Sequence, residues 1–144
     1  HELTGFENIY LNGLLLGHTR KEVDEKLDDV IGFSGLEQFI HSPIRNYSSG
    51  MMARLGFAIA TAWVPDVLIL DEVLAVGDAE FLAKCKRRLE RFHEAGTTLL
   101  LVSHSPDNIR ENCTRCLWLD HGRLMADGPT DETLARYAEH PNRL

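Results

Sequence analysis

The order of elements predicts an α/β fold, and three observations carry the prediction. Two apolar runs, 67–70 and 98–102, show no polar alternation, as strands covered on both faces do. A helical pattern over 79–95 separates them, and strand, helix, strand in that order suits a parallel sheet with a right-handed crossover. Two further strand-like runs in "CLWLDHGRLMAD" surround His121 and Gly122 and read as a hairpin.

The elements follow in chain order. The first third reads as helical, beginning with "FENIYLNGLLLG". Thr19, with Glu22 three residues on, forms a capping-box pattern that opens a helix with Val23, Leu27, Val30 and Ile31 on one face. "HSPIRNYSSG" is a loop punctuated by Pro43 and Gly50, with Ser49 as the N-cap of the next helix. That helix carries Met52, Leu55, Ile59 and Ala62 on one stripe and ends before Pro65. The helix over 79–95 turns Leu82, Cys85, Leu89 and Phe92 inward and stops at Gly96. Its basic cluster, Lys84, Lys86, Arg87, Arg88 and Arg91, is then a solvated face. A short helix begins near Pro106, and a final helix, capped by Thr130 with Asp131 and Glu132 in its first turn, runs to about Glu139.

Composition narrows the function classes. The 144 residues make one domain or part of one, and 44% apolar with 26% charged residues is an ordinary globular balance. Fifteen basic residues against 22 acidic ones leave a net charge of -7, which argues against a broad nucleic-acid surface. The longest apolar runs are far too short to span a bilayer, and no basic-then-apolar leader opens the chain. The expectation is a soluble protein whose membrane role comes through a partner. Three cysteines, an odd count, suit a reducing compartment. Cys113 and Cys116 have metal-knuckle spacing, but no second pair completes a zinc site, so they read as small packing residues.

Chemistry gathers at three places. Asp71 and Glu72 follow a buried strand, at the edge where open α/β sheets place their ligands. There Asp71 suits ordering a Mg²⁺ ion, and Glu72 suits polarising a water that attacks a phosphoryl group; a solvated strand end is the plain alternative. Ser103 and His104 end the second strand, and if the two strands are neighbours, His104 reaches the same phosphate. In "YSSGM" the backbone N–H groups of Gly50 and Met51, the hydroxyls of Ser48 and Ser49, and the helix dipole together suit a bound phosphate. Simple helix capping is the competing explanation of the serines.

The four motifs "YSSGM", "VLILDE", "AVGD" and "VSH" fall in the order and spacing of the ATP-binding subunits of ABC transporters, which the chain resembles from its first residue to about Gly128. By that resemblance the fold is a P-loop NTPase-like parallel sheet with flanking helices, residues 1–47 forming a helical subdomain segment and 48–144 the C-terminal part of the nucleotide-binding domain. Ser48, Ser49, Gly50 and Met51 stand at the family's signature motif. Asp71 and Glu72 match the Walker B aspartate and catalytic glutamate, Asp78 the aspartate of the dimer-contacting D-loop, and His104 the switch histidine. The ligands implied are ATP and Mg²⁺. The partners implied are an integral-membrane permease subunit and a second ATP-binding subunit, with no nucleic acid, at the cytoplasmic face of the cell membrane. The signature departs from the usual Gly-Gly-Gln ending by reading Ser-Gly-Met, and the D-loop reads "LAVGD". With "ENIYLNG" these variants look like the subfamily that exports polysaccharides and teichoic acids, including O-antigen.

No G-x-x-x-x-G-K-[ST] phosphate loop occurs: the lysines are Lys21, Lys26, Lys84 and Lys86, and none follows a glycine. In the family that loop lies upstream of where His1 falls, so the resemblance implies an incomplete domain with negligible ATPase activity alone. It also implies a missing strand between the one ending at His104 and the one over 116–120. Two other readings are an ABC-type ATPase acting on DNA, for which the basic cluster is the best feature, and a catalytically silent partner-binding remnant. The DNA-acting class carries long coiled-coil insertions, and this sequence has none.

Overall fold

The computed structural model describes residues 3–71 and 78–140. By contacts the chain forms two compact units, one of residues 1–68 with 73–98 and one of 69–72 with 99–144.

The first unit is helical. Its helix α1 (Gly5–Leu15) opens with a capping box in which Thr4 and Glu7 exchange bonds, and α2 (Arg20–Ser34) opens with the expected Thr19–Glu22 box. Each box satisfies two donors that the first turn of a helix leaves open. The α2 helix ends at Gly35, whose φ of 66° is the left-handed C-cap that glycine adopts without penalty. A 3₁₀ turn (Ile44–Asn46) leads through buried Tyr47 into α3 (Ser49–Ala60). Tyr47 Oη donates to the Phe39 carbonyl at 2.8 Å. A Cβ at Gly5 would lie 2.2 Å from that hydroxyl, so only glycine lets α1 begin there.

The core of this unit joins Ile9, Val23, Val30, Leu36, Leu55, Ala58 and Ile59, with Leu27 and Ile31 packed against it. The stripe expected on α3 holds for Leu55, Ile59 and Ala62, but Met52 faces outward, 45% exposed. The helix α4 (Ala79–Glu94) buries Phe81, Cys85, Leu89 and Phe92. It also buries Arg88, which corrects the expectation of a wholly solvated basic face. Arg88 forks onto Asp29 of α2 at 2.8 and 3.0 Å, donates to the Thr61 carbonyl at 3.1 Å, and lies 4.0 Å from the Phe33 ring centroid. A buried guanidinium is tolerated because both terminal nitrogens are hydrogen-bonded and one face lies on Phe33.

Strands β1 (Val67–Asp71) and β2 (Thr98–Val102) pair in one sheet. Thr98 N–H donates to the Asp66 carbonyl just ahead of β1, so the two strands start side by side and run parallel. Each is covered on one face only: Leu68 and Leu70 are buried, whereas Val67, Ile69, Leu100 and Val102 are exposed. The unbroken apolar runs therefore do not mark strands covered on both faces, as expected from the sequence.

In the second unit, α5 (Pro106–Asn112) precedes β3 (Arg115–Asp120) and β4 (Arg123–Pro129), an antiparallel hairpin whose turn residues His121 and Gly122 have φ of 44° and 77°. Positive φ at both central residues is the type I′ requirement, and it confirms the predicted hairpin. A bulge falls between Trp118 and Leu119. The strands β2 and β3 lie in different sheets. Helix α6 (Thr130–Glu139) packs on the hairpin, with Tyr137 and His140 edge-on to Trp118. Thr130 is not its cap: the helix begins at Thr130 after Pro129, and the Thr130 hydroxyl instead donates to the Cys113 carbonyl at 2.7 Å. Burial raises the thiol pKa of both Cys113 and Cys116, which keeps them protonated.

Candidate phosphate-facing site

Within the first unit, the N-cap of α3 is Ser48 rather than the expected Ser49. Ser48 has extended backbone angles, and its Oγ accepts from Met51 N–H at 3.2 Å. That geometry sorts the four candidate residues. Met51 has its amide engaged by Ser48, and its side chain packs against the helical core. Ser48 uses its oxygen as an acceptor, which leaves its O–H as a donor. Ser49 is exposed and makes no hydrogen bond through its hydroxyl to the described residues. The amides of Ser49 and Gly50, in the first turn, have no carbonyl partner within the helix. A Cβ at Gly50 would meet only Ser48 Oγ, at 3.8 Å, so nothing inside the chain requires glycine there. Donors without acceptors, at the positive end of a 12-residue helix, fit the oxygens of a phosphate.

Asp78 lies in the same unit and caps α4. Its Oδ1 accepts from Phe81 N–H at 2.9 Å, and its Oδ2 accepts from Arg54 of α3 at 2.6 Å. These bonds, the backbone one first, lower the Asp78 carboxyl pKa below its ordinary value. Arg54 stands one helical turn after Gly50 and was not among the residues singled out from the sequence, although i+4 spacing puts it on the same helix face.

The other candidates belong to the second unit. Asp71 closes β1 and is exposed. Glu72 lies outside the described residues, as do Ala75, Val76 and Gly77 of the "AVGD" motif. His104 follows β2 at the same edge of the sheet as Asp71, since the strands run parallel, and is also exposed. The turn carrying it is held by Ser103 Oγ, which accepts from Ser105 N–H at 3.1 Å, and by Ser105, which caps α5 through Asn108 N–H at 3.4 Å. Thus the structure brings Asp71 and His104 to neighbouring strand ends, and ties Asp78, at the start of α4, to α3 through Arg54, one turn after Gly50. Among the described residues, no group of three or more His, Cys, Asp or Glu side chains is arranged to hold a metal ion. An exposed carboxylate at a strand end, such as Asp71, nonetheless suits a hydrated Mg²⁺ that keeps most of its waters. Also among the described residues, no helix is long and apolar enough to cross a membrane.

A parallel strand pair with Asp71 and His104 at its carboxyl edge has the α/β arrangement that places ligands there, and the helix start in the other unit, taken by itself, offers donors suited to a phosphate. The comparisons narrow the reading. No family model matches the chain. It is 47% identical over 138 residues, 96% of its length, to the O-antigen export system ATP-binding protein RfbB of Klebsiella pneumoniae. It is 44% identical over 137 residues, 95% of its length, to the teichoic acids export ATP-binding protein TagH of Staphylococcus haemolyticus. It covers 56% of the former protein and 52% of the latter, so it spans about half the length of the curated relatives it matches. A solved ATP-binding subunit of an ABC transporter superposes with a TM-score of 0.82 at 23% identity, over 98% of this chain and 59% of that one, a likeness of fold. The chain is thus similar to the ATP-binding subunits of ABC transporters, the O-antigen and teichoic-acid export proteins among them.

Proposed function

We propose that this chain supplies the signature-side half of a composite ATP site in an exporter of polysaccharide or polyol-phosphate polymers. The observation that carries the reading is the start of α3, where Ser48 caps through its oxygen and leaves the Ser49 hydroxyl and the Ser49 and Gly50 amides turned to solvent without acceptors. In this reading those donors receive the γ-phosphate of ATP held by a second ATP-binding subunit, and Asp78 contacts that subunit beside them. Asp71 holds Mg²⁺ through its waters, and the ion screens phosphate charge when bound. Glu72 accepts a proton from the attacking water, and His104 donates a hydrogen bond toward the γ-phosphate. The 144 residues contain no phosphate loop of their own, so hydrolysis by this chain alone is expected to be negligible.

The same reading gives α1 its role. Leu15 and Leu16, 75% and 56% exposed, border with Met52 a groove of about 290 Å³ lined also by Asn8, Asn12, Leu55 and Ile59, and Leu11 and Leu14 are exposed on the same helix. An apolar groove edged by side-chain amides suits a short helix of an integral-membrane permease, which would hold the protein at the cytoplasmic face of the membrane. Of the basic cluster behind the DNA-acting alternative, Arg88 is buried and Lys84 pairs with Glu80 at 3.3 Å, whereas Lys86, Arg87 and Arg91 are exposed.

The test is steady-state hydrolysis by the full-length gene product. Glu72→Gln is expected to abolish turnover while nucleotide binding persists, since it removes a proton acceptor and leaves the phosphate donors in place. His104→Ala is expected to lower turnover. Turnover near the unmodified rate in the Glu72→Gln protein would overturn the assigned roles.

A further inference from the structure

We propose that Arg54 is a positioning residue that locks the serine-glycine turn and Asp78 into one surface, so that both meet an opposing subunit together. The inference rests on the composite-site reading and adds to it a residue that neither the motifs nor the comparisons single out.

Three observations carry it. Arg54 Nη2 donates to Asp78 Oδ2 at 2.6 Å, and the guanidinium lies 5.2 Å from the Phe81 ring centroid, so both its direction and its reach are set by α4. Asp78 has its other oxygen on Phe81 N–H, which leaves the carboxylate shared between two helices, with α4 capped by one oxygen and α3 tied by the other. Gly50 sits one turn before Arg54 on the same face of α3, so the anchored residue and the start that carries Ser48 and Ser49 share one helix.

The location separates positioning from stability. The packing of this unit has other supports, Arg88 on Asp29 and Thr61 and the Phe33–Phe57 ring pair among them. The Arg54–Asp78 pair is the exposed member, with side chains 27% and 61% accessible. Exposed pairs add little to folding, because water competes for both ions. What this pair supplies is a fixed relation between two helix starts, and at a docking surface a fixed relation lowers the ordering cost of association.

The experiment is a double-mutant cycle in the full-length gene product, made hydrolysis-dead by Glu72→Gln. The dimerisation constant is measured by sedimentation with and without Mg-ATP. Arg54→Gln and Asp78→Asn, which keeps a capping side chain, should each weaken the ATP-dependent dimer by roughly fivefold, the scale of one partly exposed charged pair. The double variant should be no weaker than Asp78→Asn alone, and Arg54→Lys should recover part of the loss. Nucleotide binding by the monomer should not change. The same cycle read by thermal unfolding of the full-length monomer without nucleotide should show little coupling, whereas a merely structural pair would couple there and leave dimerisation untouched. Arg54→Gln dimers as tight as the parent, or losses that add in the double variant, would overturn the inference while leaving the composite site standing. A parent protein that neither associates with Mg-ATP nor hydrolyses it before the Glu72 change would overturn both.

Discussion

Replacing Arg88 by alanine should destabilise the helical unit by about 5 kcal/mol, and the structure supplies the parts of that figure. The Thr61 carbonyl, at the C-cap of α3, would lose its donor in a buried position, at a cost of about 1–3 kcal/mol. The fork onto Asp29 contributes less, about 1 kcal/mol, because that carboxylate is 49% exposed and water replaces the arginine. The guanidinium over Phe33 and the buried aliphatic stem contribute about 1 kcal/mol each. The assay is urea unfolding followed by Trp63, which stacks on His18 at 3.8 Å within the same unit, with Trp118 replaced by phenylalanine to silence the other unit. At an m-value of about 1.5 kcal/mol/M the midpoint should fall by about 3 M. Arg88→Met keeps the stem and should lose about half as much, since a well-packed apolar replacement of a buried ion is tolerated. An alanine midpoint within about 0.5 M of the parent would refute the reasoning and return Arg88 to the solvated face.

Stability should also bracket in pH. Hydrogen bonds lower the pKa of Glu7 and Glu22 through Thr4 and Thr19, that of Asp78 through Phe81 N–H, and that of Asp127 through Arg115. The unfolded chain therefore takes up these protons first, and the contribution, full above the ordinary carboxylate range, should be lost as pH falls below about 5. Burial pushes the Cys85 thiol up to about 11, so its contribution is full below the ordinary thiol value and lost as pH rises from there toward the folded one. Denaturant midpoints across pH 3–11 check both limbs, and a rise in stability below pH 5 would contradict the first. The 144-residue chain alone should self-associate, because Val67, Ile69, Leu100, Val102, Leu117, Leu119 and Leu124 leave apolar strand faces 47–65% exposed. A concentration-independent monomer by light scattering, with sharp two-state melting, would refute this.

Local chemistry made much of the fold legible. The Thr19–Glu22 pair announced α2, and the histidine-glycine turn announced the hairpin, because capping and positive-φ turns depend on few neighbours. The motifs likewise announced the family resemblance. What stayed hidden depends on tertiary partners. Arg88 falls three residues after Cys85 and four before Phe92, on the buried stripe, yet only the presence of Asp29 and Thr61 across the helix makes that position habitable for a charge. Adjacent serines at 48 and 49 are equivalent as capping letters, and backbone angles alone decide that Ser48 caps. An apolar strand run does not say whether one face or two are covered; Ile69 and Leu70 differ only in which way they point. Arg54 stayed hidden because its partner Asp78 lies 24 residues away.

The most direct test of the central claim puts a negative charge where the phosphate is proposed to sit. In the full-length gene product carrying Glu72→Gln, Ser49→Glu should abolish the dimer formed with Mg-ATP, seen by light scattering, because repulsion against the partner's γ-phosphate is strong once water is excluded. Nucleotide binding by the monomer should persist. A dimer of undiminished affinity in the Ser49→Glu protein would mean that the serine-glycine turn only starts its helix.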